Sequence, residues 1–259
     1  MGPMRISASA ARRTWTATAG TLACLLALTS CGGSSDGAKD SAAQDGGSTQ
    51  SRSPTASPST KLQRIPGVGD RLQDRIPDSA RQVVAVYGEG PDSAKSTVVL
   101  YSKHGKTWDR DRSWQGHNGK KGWSTDHREG DKRSPVGVYT LTDAGGVLAD
   151  PDRAPDAGLP YTQSGAFAAP RYWPKTHWHD FDLVIAIDYN RVKGTPPNDP
   201  TRPQGQSKGG SIWLHMDHGS GTSGCVSLSR SAMEHLLRTL DPAQKPVVVM
   251  GDKAQLARS

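Results

Sequence analysis

From residue 32 onward, no segment of this 259-residue chain is apolar over the roughly 18 residues that a spanning helix needs. A polytopic membrane protein is thereby excluded. Nor is there a basic block: 32 Lys and Arg stand against 25 Asp and Glu, for a formal net charge of +7. Three of those positive charges, Arg5, Arg12 and Arg13, fall in the first thirty residues, which hold no acid, so the remainder carries only about +4. A nucleic-acid binder would cluster its Lys and Arg, often with interleaved aromatics; this chain does not. Apolar residues are scarce too, at 34 %, with a mean hydropathy of −0.63. That is low for a chain folded from end to end, so part of it is expected to be unstructured. The length still allows one substantial domain or two small ones with a real core.

The scarcity is concentrated. Residues 32–60 contain no Val, Ile, Leu, Met or aromatic residue and cannot bury enough apolar surface to offset their ordering entropy. They read as a disordered Ser/Gly-rich tether, reaching some 30 Å at roughly 5–6 Å × √n. Ahead of it, residues 1–31 carry a basic stretch ending in Arg12-Arg13, an apolar region through Leu22, Ala23, Leu25, Leu26, Ala27 and Leu28, and a close on Leu28-Thr29-Ser30-Cys31. That is the anatomy of a secretory signal. Its last four residues resemble a bacterial lipobox, in which the Cys becomes the lipidated first residue of the mature protein. The expectation is a lipoprotein exported by the general or the twin-arginine route. Cys31 would anchor it to the outer face of the cytoplasmic membrane, with the lipid as its membrane contact and the folded part in the cell wall.

Cysteine is the rarest informative residue, with three in the chain. Cys24 lies in the discarded apolar region and Cys31 would be acylated, which leaves Cys225 as the thiol of the mature protein. It has no partner for an intramolecular disulfide, yet it would be exposed to oxidation. A buried inert Cys and a nucleophile are both compatible with that, and the neighbours must decide.

From residue 82 the apolar pattern has the strand period. Runs at 83–87, 97–101, 138–141, 183–187, 211–215 and 247–250 are short and rich in β-branched or aromatic residues, with Gly, Pro, Asn and Asp between them. One helix is predicted, capped by Ser229 or Ser231, with Ala232, Met233, Leu236, Leu237 and Leu240 as its apolar stripe and Asp241-Pro242 as its stop. The expected fold is mostly β and sandwich-like, with one packed helix, over residues 82–251. Residues 61–81 form a lead-in of undetermined order and 252–259 a C-terminal tail. Residues 143–180 and 190–210 read as long loops, where function often resides.

The stretch from Gly210 to Leu228 holds a strand, a glycine-rich turn and then Cys225. A free thiol is only a few per cent ionised at neutral pH and needs a base beside it. His215, ending its strand, would face Cys225 across a hairpin-like return, and the amides of Gly224 and Cys225 would point at a developing oxyanion. Such an arrangement suits acyl transfer through a thioester.

This stretch resembles the catalytic signature of the YkuD-type L,D-transpeptidases, cell-wall enzymes of mainly β fold. There an Ile-His or Leu-His pair ending a strand supplies the base, and a Ser/Thr-x-Gly-Cys turn supplies the nucleophile. The resemblance implies His215 as base, Thr222-Ser223-Gly224 as the turn and Cys225 as nucleophile. Gly116-His117-Asn118-Gly119, the segment from Arg128 to Tyr139 containing Arg128-Glu129-Gly130-Asp131, and Asp188-Tyr189-Asn190 resemble one branch of that family. Most members carry a His before the Gly-Cys pair and an Arg two places after the Cys; here Ser223 and Ser227 stand there, and nine residues separate His215 from Cys225, fewer than is usual. The implied activity is attack on the L-centred bond between diaminopimelate and D-Ala in a tetrapeptide stem, followed by 3→3 cross-linking. With water as acceptor it becomes an L,D-carboxypeptidase. The partners would be peptidoglycan stem peptides, with no cofactor and no metal.

Other residues carry weaker signals. His218 is the rival base. Asp217 shares strand parity with His215 and is able to orient an imidazole, although a solvated turn Asp is the more ordinary reading. Arg128 and Arg133 suit a stem carboxylate, and Trp213 the substrate groove; Trp173 and Trp178 read as loop packing or groove walls. His177-Trp178-His179-Asp180, taken with His215 and His218, suggests a zinc site and hence a metal-dependent wall amidase. A non-catalytic wall-binding lipoprotein that retains the fold is the remaining alternative.

Overall fold

The six β-branched runs become strands, and others join them. The computed structural model describes residues 61–151 and 158–259; the signal, Cys31 and the tether lie outside the described residues. A short helix α1 (Asp70–Gln73) precedes β1 (Gln82–Gly88), which pairs antiparallel with β2 (Lys95–His104), and β2 with β3 (Thr107–His117). The small β4 (Trp123–Ser124) and β5 (Ser134–Pro135) make a separate parallel pair. There follow β6 (Gly137–Thr140), β7 (Ala144–Gly146), β8 (Tyr161–Gln163), β9 (Val184–Ala186), β10 (Trp213–Met216) and β11 (Val226–Leu228). Helix α2 (Arg230–Thr239), β12 (Val247–Asp252) and helix α3 (Lys253–Arg258) complete the chain. Among the described residues, ten strands form one sheet in the order β6-β12-β1-β2-β3-β11-β10-β9-β7-β8.

Strand alternation sorts the core. Val84 and Val86 of β1 face a cluster shared with Leu100, Ile185, Leu214, Val226, Leu228 and Met250, while Val83 and Ala85 face another with Leu72, Ile76, Val249 and Leu256. Because both ends of the sheet feed the first cluster, the sheet folds over on itself in a sandwich-like way. Helix α2 plugs it with Ala232, Met233, Leu236 and Leu237, all buried. Each such large side chain contributes about 1.5–3 kcal/mol. Ser229, not Ser231, caps this helix, its hydroxyl accepting from the Ala232 N–H at 3.3 Å.

The structure adds to or departs from the expectations at three places. The lead-in and the tail are both parts of the domain: the Gly69 N–H donates to the Leu256 carbonyl (2.8 Å) and the Arg71 N–H to that of Ser259 (3.0 Å). Leu72 and Leu256 seal the apolar outer face that the alternation of β1 and β12 would otherwise leave to water. Strand β3 lacks the apolar alternation that would have announced it, because four successive residues, Arg110 to Ser113, are exposed and its long ladder to β2 holds it instead. Finally, β10 and β11 run parallel rather than as a hairpin, with Leu214 opposite Val226. Parallel strands normally need a dozen or more connecting residues. This shorter connection manages by bridging Thr222 to Gly119, with the Lys120 N–H donating to the Thr222 carbonyl at 2.8 Å and the Thr222 N–H to that of Asn118 at 2.9 Å.

Candidate active site

Leu214 points into the core, so its neighbours Trp213 and His215 point to the opposite face of β10. There Phe167, Val184, Ala186 and Trp213 form a small apolar layer, with Phe181 and Cys225 packed against it. Cys225 immediately precedes β11, whose Ser227 lies beside His215 in register. Cys225 and His215 thus line one cavity of about 490 Å³, together with Trp173, His177, Asp180, His218, Thr222 and Ser223.

The imidazole of His215 is buried, and its Nδ1 lies 2.8 Å from the main-chain carbonyl of Met216. A carbonyl only accepts, so Nδ1 carries the proton and Nε2 keeps its lone pair. Burial lowers the His215 pKa below its ordinary 6.5, outweighing the Met216 carbonyl and the carboxylate of Asp180. Burial likewise pushes the Cys225 thiol up to about 11, against the Trp213 N–H directed at its sulfur. The Trp213 N–H donates to Sγ at 3.4 Å, and Sγ lies 3.4 Å from the Ser211 carbonyl. The resting pair is therefore a thiol and a neutral imidazole, suited to general-base activation rather than to a standing ion pair.

The turn before Cys225 is held by two hydroxyls. Thr222 Oγ1 accepts from the Gly224 N–H (3.1 Å) and donates to the Cys225 carbonyl (2.6 Å). Ser134, fully buried on β5, accepts from the Gly119 N–H (2.9 Å) and donates to the Gly224 carbonyl (2.7 Å). Gly224 has φ +147°, and a Cβ there would sit 3.0 Å from the Arg133 carbonyl oxygen. Any other residue would strain the turn that presents the sulfur. The Gly224 amide is committed to Thr222, which corrects the expectation that it faces an oxyanion.

A family model of the YkuD L,D-transpeptidase catalytic domain matches residues 92–249. The chain belongs to this family. Its members are cysteine-nucleophile transpeptidases of peptidoglycan peptides, and Cys225 is the free cysteine among the described residues. No curated protein matches the chain. Among solved structures it is similar to one titled "Structure of Bdellovibrio bacteriovorus Bd1075", at 14 % identity and a TM-score of 0.38, covering 77 % of this chain and 57 % of that one. The chain thus spans little more than half the length of that structure.

The remaining marked residues fall into place around this family site. At the position where most members carry an Arg, Ser227 donates to Asp217 Oδ1 (2.6 Å), and the same oxygen lies 2.8 Å from His117 Nδ1. Asp217 does orient an imidazole, but that of His117 rather than His215, and it is not a freely solvated turn residue. Burial pushes its carboxyl up, yet the Ser227 hydroxyl and His117 outweigh that and hold it below its ordinary value. Arg128 pairs with Asp126, and Arg133 pairs with Asp92 and donates to the Trp123 carbonyl. Neither arginine lines the cavity. Nor does Trp213, whose indole packs against Phe181 and donates to the Pro197 carbonyl at 3.2 Å, supporting the site from beneath. Trp173 is a wall of the cavity; Trp178 stands outside it under the Arg171 guanidinium.

Asp188-Tyr189-Asn190 serves structure. Asp188 pairs with the buried Arg191, Tyr189 donates to the Lys208 carbonyl, and Asn190 Nδ2 to that of Gly209, fastening the 190–210 loop. The zinc set expected from the sequence is reassembled: His177, Asp180 and His218 converge, whereas His179 pairs with Asp182 and His215 with Met216. The site residue that the sequence left without a role is Ser134. Its signal was its place inside the Arg128–Tyr139 motif.

Proposed function

We propose that this protein is an L,D-transpeptidase that forms 3→3 cross-links from tetrapeptide stems, with Cys225 as nucleophile and His215 as base. What supports the reading is the sharing of one cavity by the Cys225 sulfur and an imidazole whose Nδ1 is fixed on Met216, so that Nε2 is the basic nitrogen. The Cys225 thiol passes its proton to His215 Nε2 as sulfur attacks the diaminopimelate carbonyl. Collapse of the tetrahedral adduct breaks the bond to D-Ala, whose amine takes the proton from His215, and leaves a thioester. A side-chain amine of a neighbouring stem then attacks the thioester, giving its proton to His215 while the thiol is restored. Export, lipidation at Cys31 and a 29-residue tether from 32 to 60 would place this chemistry in the wall.

The test is intact-protein mass spectrometry with a diaminopimelate-containing tetrapeptide muropeptide, on the wild type and on Cys225→Ala. A mass gain with D-Ala release on the wild type alone is expected, with cross-linked dimers as product. Tripeptide as the sole product would replace the transpeptidase by an L,D-carboxypeptidase. No adduct and no turnover from a folded, reduced protein would favour a wall-binding role.

A further inference from the structure

The wall of the thiol cavity holds three side chains that this acyl chemistry does not use. His177 Nδ1 lies 2.9 Å and His218 Nδ1 3.2 Å from the same carboxylate oxygen, Asp180 Oδ2. One ligand atom from each residue lies within 4.8 Å of the others, and the two imidazole centroids are 4.2 Å apart. The Met216 N–H donates to the Asp180 carbonyl at 3.0 Å, so this cluster is tied to the end of β10.

His218 is the telling member. Its side chain is only 4 % exposed, yet neither ring nitrogen makes a hydrogen bond. Nδ1 is close to Asp180 Oδ2 but off the line an N–H would need. Buried imidazole nitrogens without partners are uncommon, because their lost hydration is not offset. A metal ion offsets it. Zinc with bonds of about 2.0–2.1 Å spaces its tetrahedral ligand atoms about 3.3 Å apart, close to the two separations seen. Two imidazoles with one carboxylate favour a borderline transition cation over magnesium or calcium, which take oxygen.

We propose that His177, Asp180 and His218 form a site for a divalent cation of the Zn²⁺ type, and that the bound ion closes the Cys225 cavity. All three residues line that cavity, so an ion held between them would border it. The ion would tie the loop between β8 and β9, carrying His177 and Asp180, to the β10–β11 connection carrying His218. The site stands independently of the transpeptidase reading.

Zn²⁺ uptake by the full chain, measured by equilibrium dialysis, tests it on the wild type, on Cys225→Ser and on the double variant His177→Gln, His218→Gln. Wild type and Cys225→Ser should each take up one Zn²⁺ per chain, and the double variant should bind at least about tenfold more weakly. No uptake by the wild type, loss in Cys225→Ser, or full retention in the double variant would each overturn the site. Should circular dichroism show the double variant unfolded, His177→Gln alone, whose ring is partly exposed, is read the same way. Zn²⁺ should also slow iodoacetamide alkylation of Cys225 in the wild type and not in the His177 and His218 variants. Equal slowing in both would mean that the ion sits on the thiol itself, and closure by this cluster would be wrong.

Discussion

His215 and His117 stand on one face of the sheet, two strands apart, with Ser227 paired to both. The two imidazoles are held differently. His215 is buried with its Nδ1 on a main-chain carbonyl, whereas His117 is about a quarter exposed (24 %) with its Nδ1 on the carboxylate of Asp217. The Asp–His pair looks more like a catalytic array, yet it is the other imidazole that shares a cavity with a thiol. His117 lines a separate cavity of about 330 Å³ with Glu89, Lys95 and Asp217. On the proposed function, what selects His215 is the company of Cys225 and a neutral partner that leaves it a base, not a carboxylate behind it.

The largest test of that contrast is a pair of substitutions. His215→Ala should slow acylation of Cys225 by about 10²–10⁴-fold, the usual weight of a general base, while His117→Ala should change it less than about threefold. Acylation rates by mass spectrometry measure both, and equal losses would break the comparison. Next comes pH. With the Cys225 thiol raised to about 11, the thiolate fraction and hence the alkylation rate should climb about tenfold per pH unit through neutrality without a plateau. A plateau on the acid side of neutrality would reveal a standing ion pair instead. Acylation by substrate should persist on the acid side of pH 6.5, because burial defers the protonation of His215 below its ordinary value.

Smaller effects separate two buried serine hydroxyls, Ser134 and Ser227. Ser134→Ala leaves the Gly224 carbonyl and the Gly119 N–H without their partner, for a loss of about 1–3 kcal/mol in thermal unfolding. It should also lower acylation about tenfold, since the turn carrying Cys225 loosens. Ser227→Ala removes a hydroxyl from the His117 side, so it should cost stability of similar size yet leave acylation within about threefold. If the two variants behaved alike in acylation, the division of the face into a reactive and a supporting half would fail.

Much of this was legible in the residues. The continuous apolar runs Val83–Tyr87 and Val247–Met250, and the 3.6-residue stripe of Ala232, Met233, Leu236 and Leu237, report burial directly, because a strand covered on both faces is apolar throughout and a helix covered on one face is apolar in a stripe. That Cys225 and His215 would share a site was expected by resemblance, and they line one cavity. Other features had no such pattern. Strand β3 is held by main-chain bonds that any sequence can make. The parallel course of β10 and β11 depends on where Thr222 meets residues 118–120. Ser134 reaches Gly224 across 90 positions, and His177, Asp180 and His218 meet from two different loops. Local periodicity records which face is buried; only the folded chain decides which distant polar atoms share a space, since hydrogen-bond and ligand geometry is satisfied between segments rather than within one.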